Sequence, residues 1–207
     1  MAEAEAAVAA GADAIGLVSA MPSGPGVIGE DLIAQIAAGA PPALGTFLLT
    51  SKAEPAAIVA QQRRCGVNTI QLCDALDASA YPVLREALPG IALIQVIHVR
   101  GEAAVAEAAN VAPMVDGLLL DSGNPAATVK ELGGTGRVHN WALSRRIVTD
   151  APCPVFLAGG LNPGNVGEAI RQVRPYGVDL CTGVRTEGAL DAAKLGAFTA
   201  AVASADA

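Results

Sequence analysis

The sequence predicts a parallel α/β barrel, and three observations predict it. Short apolar runs such as 91–99 and 115–121 lack polar–apolar alternation, as strands buried on both faces do. Stretches with helical spacing lie between them, so that strand and helix alternate along the chain. The strand–helix unit recurs about every two dozen residues to the end, which fits a (β/α)8 TIM barrel better than an open doubly wound sheet.

The elements follow in order. A helix over 3–10 closes at Gly11, and 14–19 is the first apolar strand. The helix over 29–38 ends at Gly39 before Pro41 and Pro42, and a strand covers 43–50. The helix over 54–65 carries Pro55 in its first turn and Gly66 after its end, the expected asymmetry of proline and glycine. Next come a strand at 68–73, a helix at 78–88, a strand at 91–99, a helix at 101–112 and a strand at 115–121. Beyond a longer connection containing Gly-Gly-Thr-Gly, a helix spans 140–150 and a strand 154–159. A helix over 162–173, with Asn162 as cap and Pro163 at its first position, precedes a strand at 177–183 and a last helix at 190–203. The series holds seven strands and eight helices and opens on a helix. An eight-stranded barrel opens on a strand, so the first strand is expected to be missing before residue 1. The alternatives are closure with seven strands or an edge borrowed from a partner, because an unpaired edge invites pairing.

Composition narrows the class. The 207 residues suit a single barrel domain over 1–207, and alanine supplies much of the 52 % hydrophobic content, as closely packed helices on a sheet require. A net charge of −7 argues against nucleic acid or an anionic membrane as partner, while a phosphorylated small molecule held by backbone amides stays compatible. No apolar run has membrane-spanning length, and acidic residues stand where a signal peptide would be basic. Cys65, Cys73, Cys153 and Cys181 form neither a Cys-x-x-Cys pair nor a metal-ligand spacing with His98 or His139, so free thiols in a reducing cytoplasm and no metal site are expected.

Chemistry in such barrels sits where strands end. The sequence places there Gln71 with Cys73, His98 with Arg100, Asp121 with Ser122, Gly159 with Gly160, and Thr182 with Gly183. The last two glycine turns adjoin one another at the habitual phosphate site, where glycine admits backbone amides close to an anion. Asp121, after three leucines, is either a loop-stabilising cap or a general acid or base tuned by partial burial. His98 reads first as a hydrogen-bonded core residue. Cys73 or Cys181 would serve as a thiolate base only with a lowered pKa.

The stretches AGADAIGLV (10–18), IQL (70–72), DGLLLDS (116–122), GGTGRVHNW (133–141), PVFLAGGLNPGNVGEAI (154–170) and GVDLCTGVR (177–185) lie in order over nearly the whole chain. In them the chain resembles the phosphoribosylanthranilate isomerase family. The resemblance implies a cofactor-free Amadori rearrangement of a phosphorylated sugar-amine, in the cytoplasm, by a monomer or homodimer. It makes Asp121 the general acid. It assigns Gly159, Gly160 and Gly183 to the phosphate and Asp179 to the position of the family's final-strand aspartate. The family's base is a cysteine in a Lys-Ile-Cys-Gly stretch ending the first strand, which has no counterpart here. Its Ser-Pro-Arg arginine is also unmatched in the loop at 20–28, and one of His98 and Arg100 is expected to take over carboxylate recognition. His139-Asn140 replaces the usual Phe-Asp. A barrel that only binds sugar phosphate, without turnover, is the competing reading.

Overall fold

The computed structural model describes residues 1–134 and 136–205; Thr135 of the Gly-Gly-Thr-Gly stretch lies outside them. The elements are α1 (Ala2–Ala9), β1 (Ala14–Val18), α2 (Glu30–Gly39), β2 (Gly45–Thr50), α3 (Pro55–Cys65), β3 (Thr69–Leu72), α4 (Ala80–Ala87) and β4 (Ala92–His98). They continue with α5 (Ala103–Val111), β5 (Gly117–Asp121), α6 (Trp141–Asp150), β6 (Val155–Leu157), α7 (Val166–Val173) and β7 (Gly177–Val178). A hairpin, β8 (Arg185–Thr186) with β9 (Ala189–Leu190), precedes α8 (Ala192–Ala205). Strands β1 to β7 form one sheet in sequence order, each pair parallel, as in a barrel wall.

Period-two side-chain alternation divides the wall into two faces. Ile70, Leu72, Leu93, Ile97, Leu118, Leu120 and Leu157 point to the helices and are fully buried in the main core. Each contributes about 1.5–3 kcal/mol by leaving water. Ile94, Val96, Leu119 and Ala158 point inward and form a smaller cluster with Phe47, Leu49 and Phe156 at its margin. Polar groups on the helix side are satisfied: Thr50 donates to Gln61 Oε1 at 2.7 Å, and Tyr81 donates to Gln95 Oε1 at 2.9 Å.

The seven parallel strands in sequence order agree with the expected barrel wall, and the alternative of closure with seven strands is corrected: among the described residues β1 and β7 each have one neighbour and do not pair with each other, so the strands curl without closing. The strand expected over 177–183 is only two residues long, because an edge with a single partner ends where the ladder to β6 ends; a 3₁₀ turn at Thr182–Val184 follows. The predicted start of α7 is a turn instead, in which Asn162 Oδ1 accepts from the Gly164 N–H at 2.9 Å, and the helix begins at Val166. The sequence reading missed the β8–β9 hairpin. Glu3 binds it through Arg185 at 2.7 Å and the Leu190 N–H at 2.9 Å, so that α1 docks against the C-terminal segment.

Candidate active site

Asp121 closes β5, and its register partner on β4 is His98. Two residues past Leu119 on the same face, its carboxyl enters the mouth of the curled sheet while remaining only 7 % exposed. Oδ1 accepts the Ser122 N–H at 2.7 Å, so the aspartate does hold its loop, as the structural alternative supposed. Burial pushes its pKa above the usual carboxylate value; the Ser122 bonds and the nearby His98 and Arg137 oppose that shift without cancelling it.

The carboxyl is flanked by glycines that leave it accessible. A Cβ on Gly159, whose φ is +83°, would lie 3.1 Å from Asp121 Oδ1, and one on Gly133 would lie 3.0 Å from Oδ2. Gly160 packs on the backbone of Arg137 and Val138, and a Cβ on Gly183 would collide with the Leu161 carbonyl. The two glycine turns predicted as a phosphate cradle therefore lie side by side, with Arg137 and Val138 packed on Gly160. Asp121, Gly159, Gly160, Asp179 and Thr182 line one cleft of about 40 Å³. That is room for roughly one water.

Asp179 faces the same cleft from beyond β7. Surrounding protein and then the charge of Asp121 push its carboxyl up to about 6. Asp179 is nevertheless exposed, and water on the open edge screens part of that push.

The remaining candidates separate. Gln71 is buried on the inner face, with Nε2 3.9 Å from the Cys73 sulfur, and does not line the cleft. His98 donates from Nε2 to the Cys73 carbonyl at 3.2 Å. With Arg100 it lines a different cavity of about 200 Å³, beside Ala75, Glu107 and Pro125. The sequence placed both residues at the right height but could not show which part of the rim they face. Neither thiol suits a base, since burial pushes Cys73 far up and raises Cys181 as well. The loop at 20–28 meets the β5–α6 connection: Ser23 donates to the Lys130 carbonyl at 2.6 Å, and Gly134 packs on Pro25.

Gly134 and Gly136 also line the cleft and were not candidates, although the Gly-Gly-Thr-Gly run was the available signal. His139 precedes Asn140, whose Oδ1 caps α6 by accepting the Ala142 N–H at 2.9 Å, and it packs against Gly159 without lining the cleft.

Residues 3–201 match the family model for N-(5'-phosphoribosyl)anthranilate isomerase. This chain belongs to the phosphoribosylanthranilate isomerase family. It is 37 % identical over 176 residues to N-(5'-phosphoribosyl)anthranilate isomerase 2 of Methanosarcina mazei, covering 84 % of this chain and 77 % of that one. The crystal structure of phosphoribosylanthranilate isomerase from Thermotoga maritima superposes with a TM-score of 0.81 at 27 % identity, over 98 % of this chain and 94 % of the other. A second isomerase structure, holding reduced 1-(o-carboxyphenylamino)-1-deoxyribulose 5-phosphate, gives a TM-score of 0.78 at 25 % identity over 98 % and 93 %. The isomerase family membership and the barrel-type α/β architecture agree.

Proposed function

We propose that the chain is an intramolecular isomerase carrying out the Amadori rearrangement of a phosphoribosylated aryl amine to an aminoketose phosphate. One observation carries the reading: a buried carboxyl, Asp121, whose pKa burial raises, faces two touching glycine turns across a single cleft. A raised pKa suits a general acid working near neutral pH. In this reading protonated Asp121 gives its proton to the furanose ring oxygen, the ring C–O bond breaks, and the nitrogen lone pair forms the iminium. The proton at the second sugar carbon then passes to water, giving the enolamine, which tautomerises to the ketone, and Asp121 regains its proton from solvent.

Main-chain N–H groups around Gly159, Gly160 and Gly183 hold the phosphate, and Thr182 and Asp179 face the sugar hydroxyls. Gln71 lies deeper on the inner wall, and His98 and Arg100 stand to one side. We also place the protein in the cytoplasm as a monomer or homodimer. Its four cysteines are free, and no described helix is long and apolar enough to cross a membrane. The test is an assay of purified protein with phosphoribosylanthranilate. Turnover by the wild type and its loss in Asp121→Asn support the reading, and an inactive, correctly folded wild type refutes it.

A further inference from the structure

The last hydrogen bonds of the sheet put three residues at one level. The Ala158 N–H donates to the Leu120 carbonyl at 2.8 Å, and the Asp179 N–H donates to the Leu157 carbonyl at 2.8 Å. Leu120 is the register partner of Leu157, and Leu157 that of Val178. One step further along, Asp121, Ala158 and Asp179 therefore stand side by side. Residues at one level of a parallel sheet point to the same face, and Ala158 belongs to the inward cluster. All three line the same cleft. The backbones of the two aspartates are two strand spacings apart, roughly 10 Å. Between them Ala158 contributes only a methyl group, so the two carboxyls flank the cleft.

Few groups on this cleft can move a proton. Among the described residues lining it they are Asp121, Asp179 and Cys181. Burial raises the Cys181 thiol, and it pushes Cys73, on the inner wall behind, far up. With Asp121 as the acid, Asp179 is the remaining acceptor. None of the ion pairs among the described residues engages Asp179, and the cation beyond Cys181, Arg185, is held by Glu3 at 2.7 Å. Asp179 is exposed as well, so a proton taken there can leave to water. Burial first, and the charge of Asp121 second, push its carboxyl up to about 6, a value that suits a base near neutral pH.

We propose that Asp179 is the general base of this site, taking the proton from the second sugar carbon after Asp121 has supplied the one that opens the ring. The proposal rests on the isomerase reading and puts a carboxylate where that reading has only water. The electrons of the C–H bond become the carbon–carbon double bond of the enolamine, the iminium electrons return to nitrogen, and the proton goes to Asp179. The pair then holds as many protons as before, on the other carboxyl. A single water, for which the cleft has room, returns the proton to Asp121. Ionisation of Asp121 in the first step places a negative charge across the cleft and strengthens Asp179 as a base when the carbon proton must leave.

The experiment measures the kinetics of Asp179 variants on phosphoribosylanthranilate, unlabelled and deuterated at the second sugar carbon. Asp179→Asn should lose about 100- to 10,000-fold in kcat and show a larger deuterium isotope effect than the wild type. Its KM should change by less than about threefold. Formate should restore part of the activity lost in Asp179→Ala, because a small carboxylate can take the vacated place. By ¹³C NMR the Asp179 carboxyl should titrate lower in Asp121→Asn than in the wild type, since a facing charge is gone. Asp179→Asn with kcat within about threefold of the wild type, or a loss confined to KM that formate does not restore, overturns the proposal and leaves the isomerase reading standing. Absence of wild-type turnover overturns both. If the Asp179 variants do not fold, the titration decides, and an Asp179 carboxyl indifferent to Asp121→Asn overturns the proposal.

Discussion

The middle of the sheet and its C-terminal edge are built for different purposes. On β3 to β5 the helix-facing positions are, apart from the hydrogen-bonded Gln95, large aliphatics without solvent exposure, Leu118 and Leu120 among them. At the edge, β7 is two half-buried residues beginning with glycine, and Tyr176 before it is 73 % exposed. The candidate site lies where the packed wall passes into that edge, on small residues and two carboxylates. Stability and chemistry are thus carried by neighbouring but separable parts of one sheet, and substitutions should sort accordingly.

The largest effect should come from Asp121→Asn. Removing a general acid is expected to cost about a thousandfold in kcat, close to 4 kcal/mol of barrier, while the thermal midpoint stays level or rises, because Asn can still accept the Ser122 N–H and has no charged form for burial to disfavour. Loss of fold in this variant would break the separation. Leu118→Ala makes the converse test. Its cavity should cost about 2–5 kcal/mol of unfolding free energy by denaturant titration, with kcat per folded molecule retained.

Acid titration sharpens the contrast. His139 is held neutral with a pKa near 4 against an ordinary 6.5, so its contribution to stability is complete above pH 6.5 and is lost as pH falls toward 4. His139→Phe should remove that slope, which is on the order of 2 kcal/mol across the window. Asp121 runs the other way. Its raised pKa makes the native state relatively more stable at low pH and less so as pH rises through the folded value, and Asp121→Asn should abolish that component.

Smaller effects belong to the margin. Tyr176 stacks edge-on against Phe156 with centroids 5.3 Å apart, and Tyr176→Ala should cost about 1 kcal/mol or less. Arg100→Ala should change KM by less than about twofold, as an exposed side chain outside the cleft. A tenfold rise would bring the His98–Arg100 cavity into the substrate site.

Much of this was legible in the sequence because it depends on local pattern. The leucine triplet before Asp121 fixed both strand and side-chain parity, and paired glycines marked the turns at Gly159 and Gly183. What failed depended on distant packing. Whether His98 and Arg100 share a cleft with Asp121 is decided by how the rim loops divide the mouth, which spacing does not encode. The packing of His139 on Gly159, and of Arg137 and Val138 on Gly160, likewise joins residues far apart in the chain. The turn at Asn162 also carries the composition of a helix start, and only the bond to Gly164 separates the two.

The most direct test of the central claim is a ¹³C NMR titration of the Asp121 side-chain carboxyl, with and without the reduced aminoketose phosphate. A pKa above the ordinary 3.8 and a carboxyl signal displaced by the bound analogue are the predicted result. A carboxyl titrating at its ordinary value, with a signal unmoved by saturating analogue, would contradict the account.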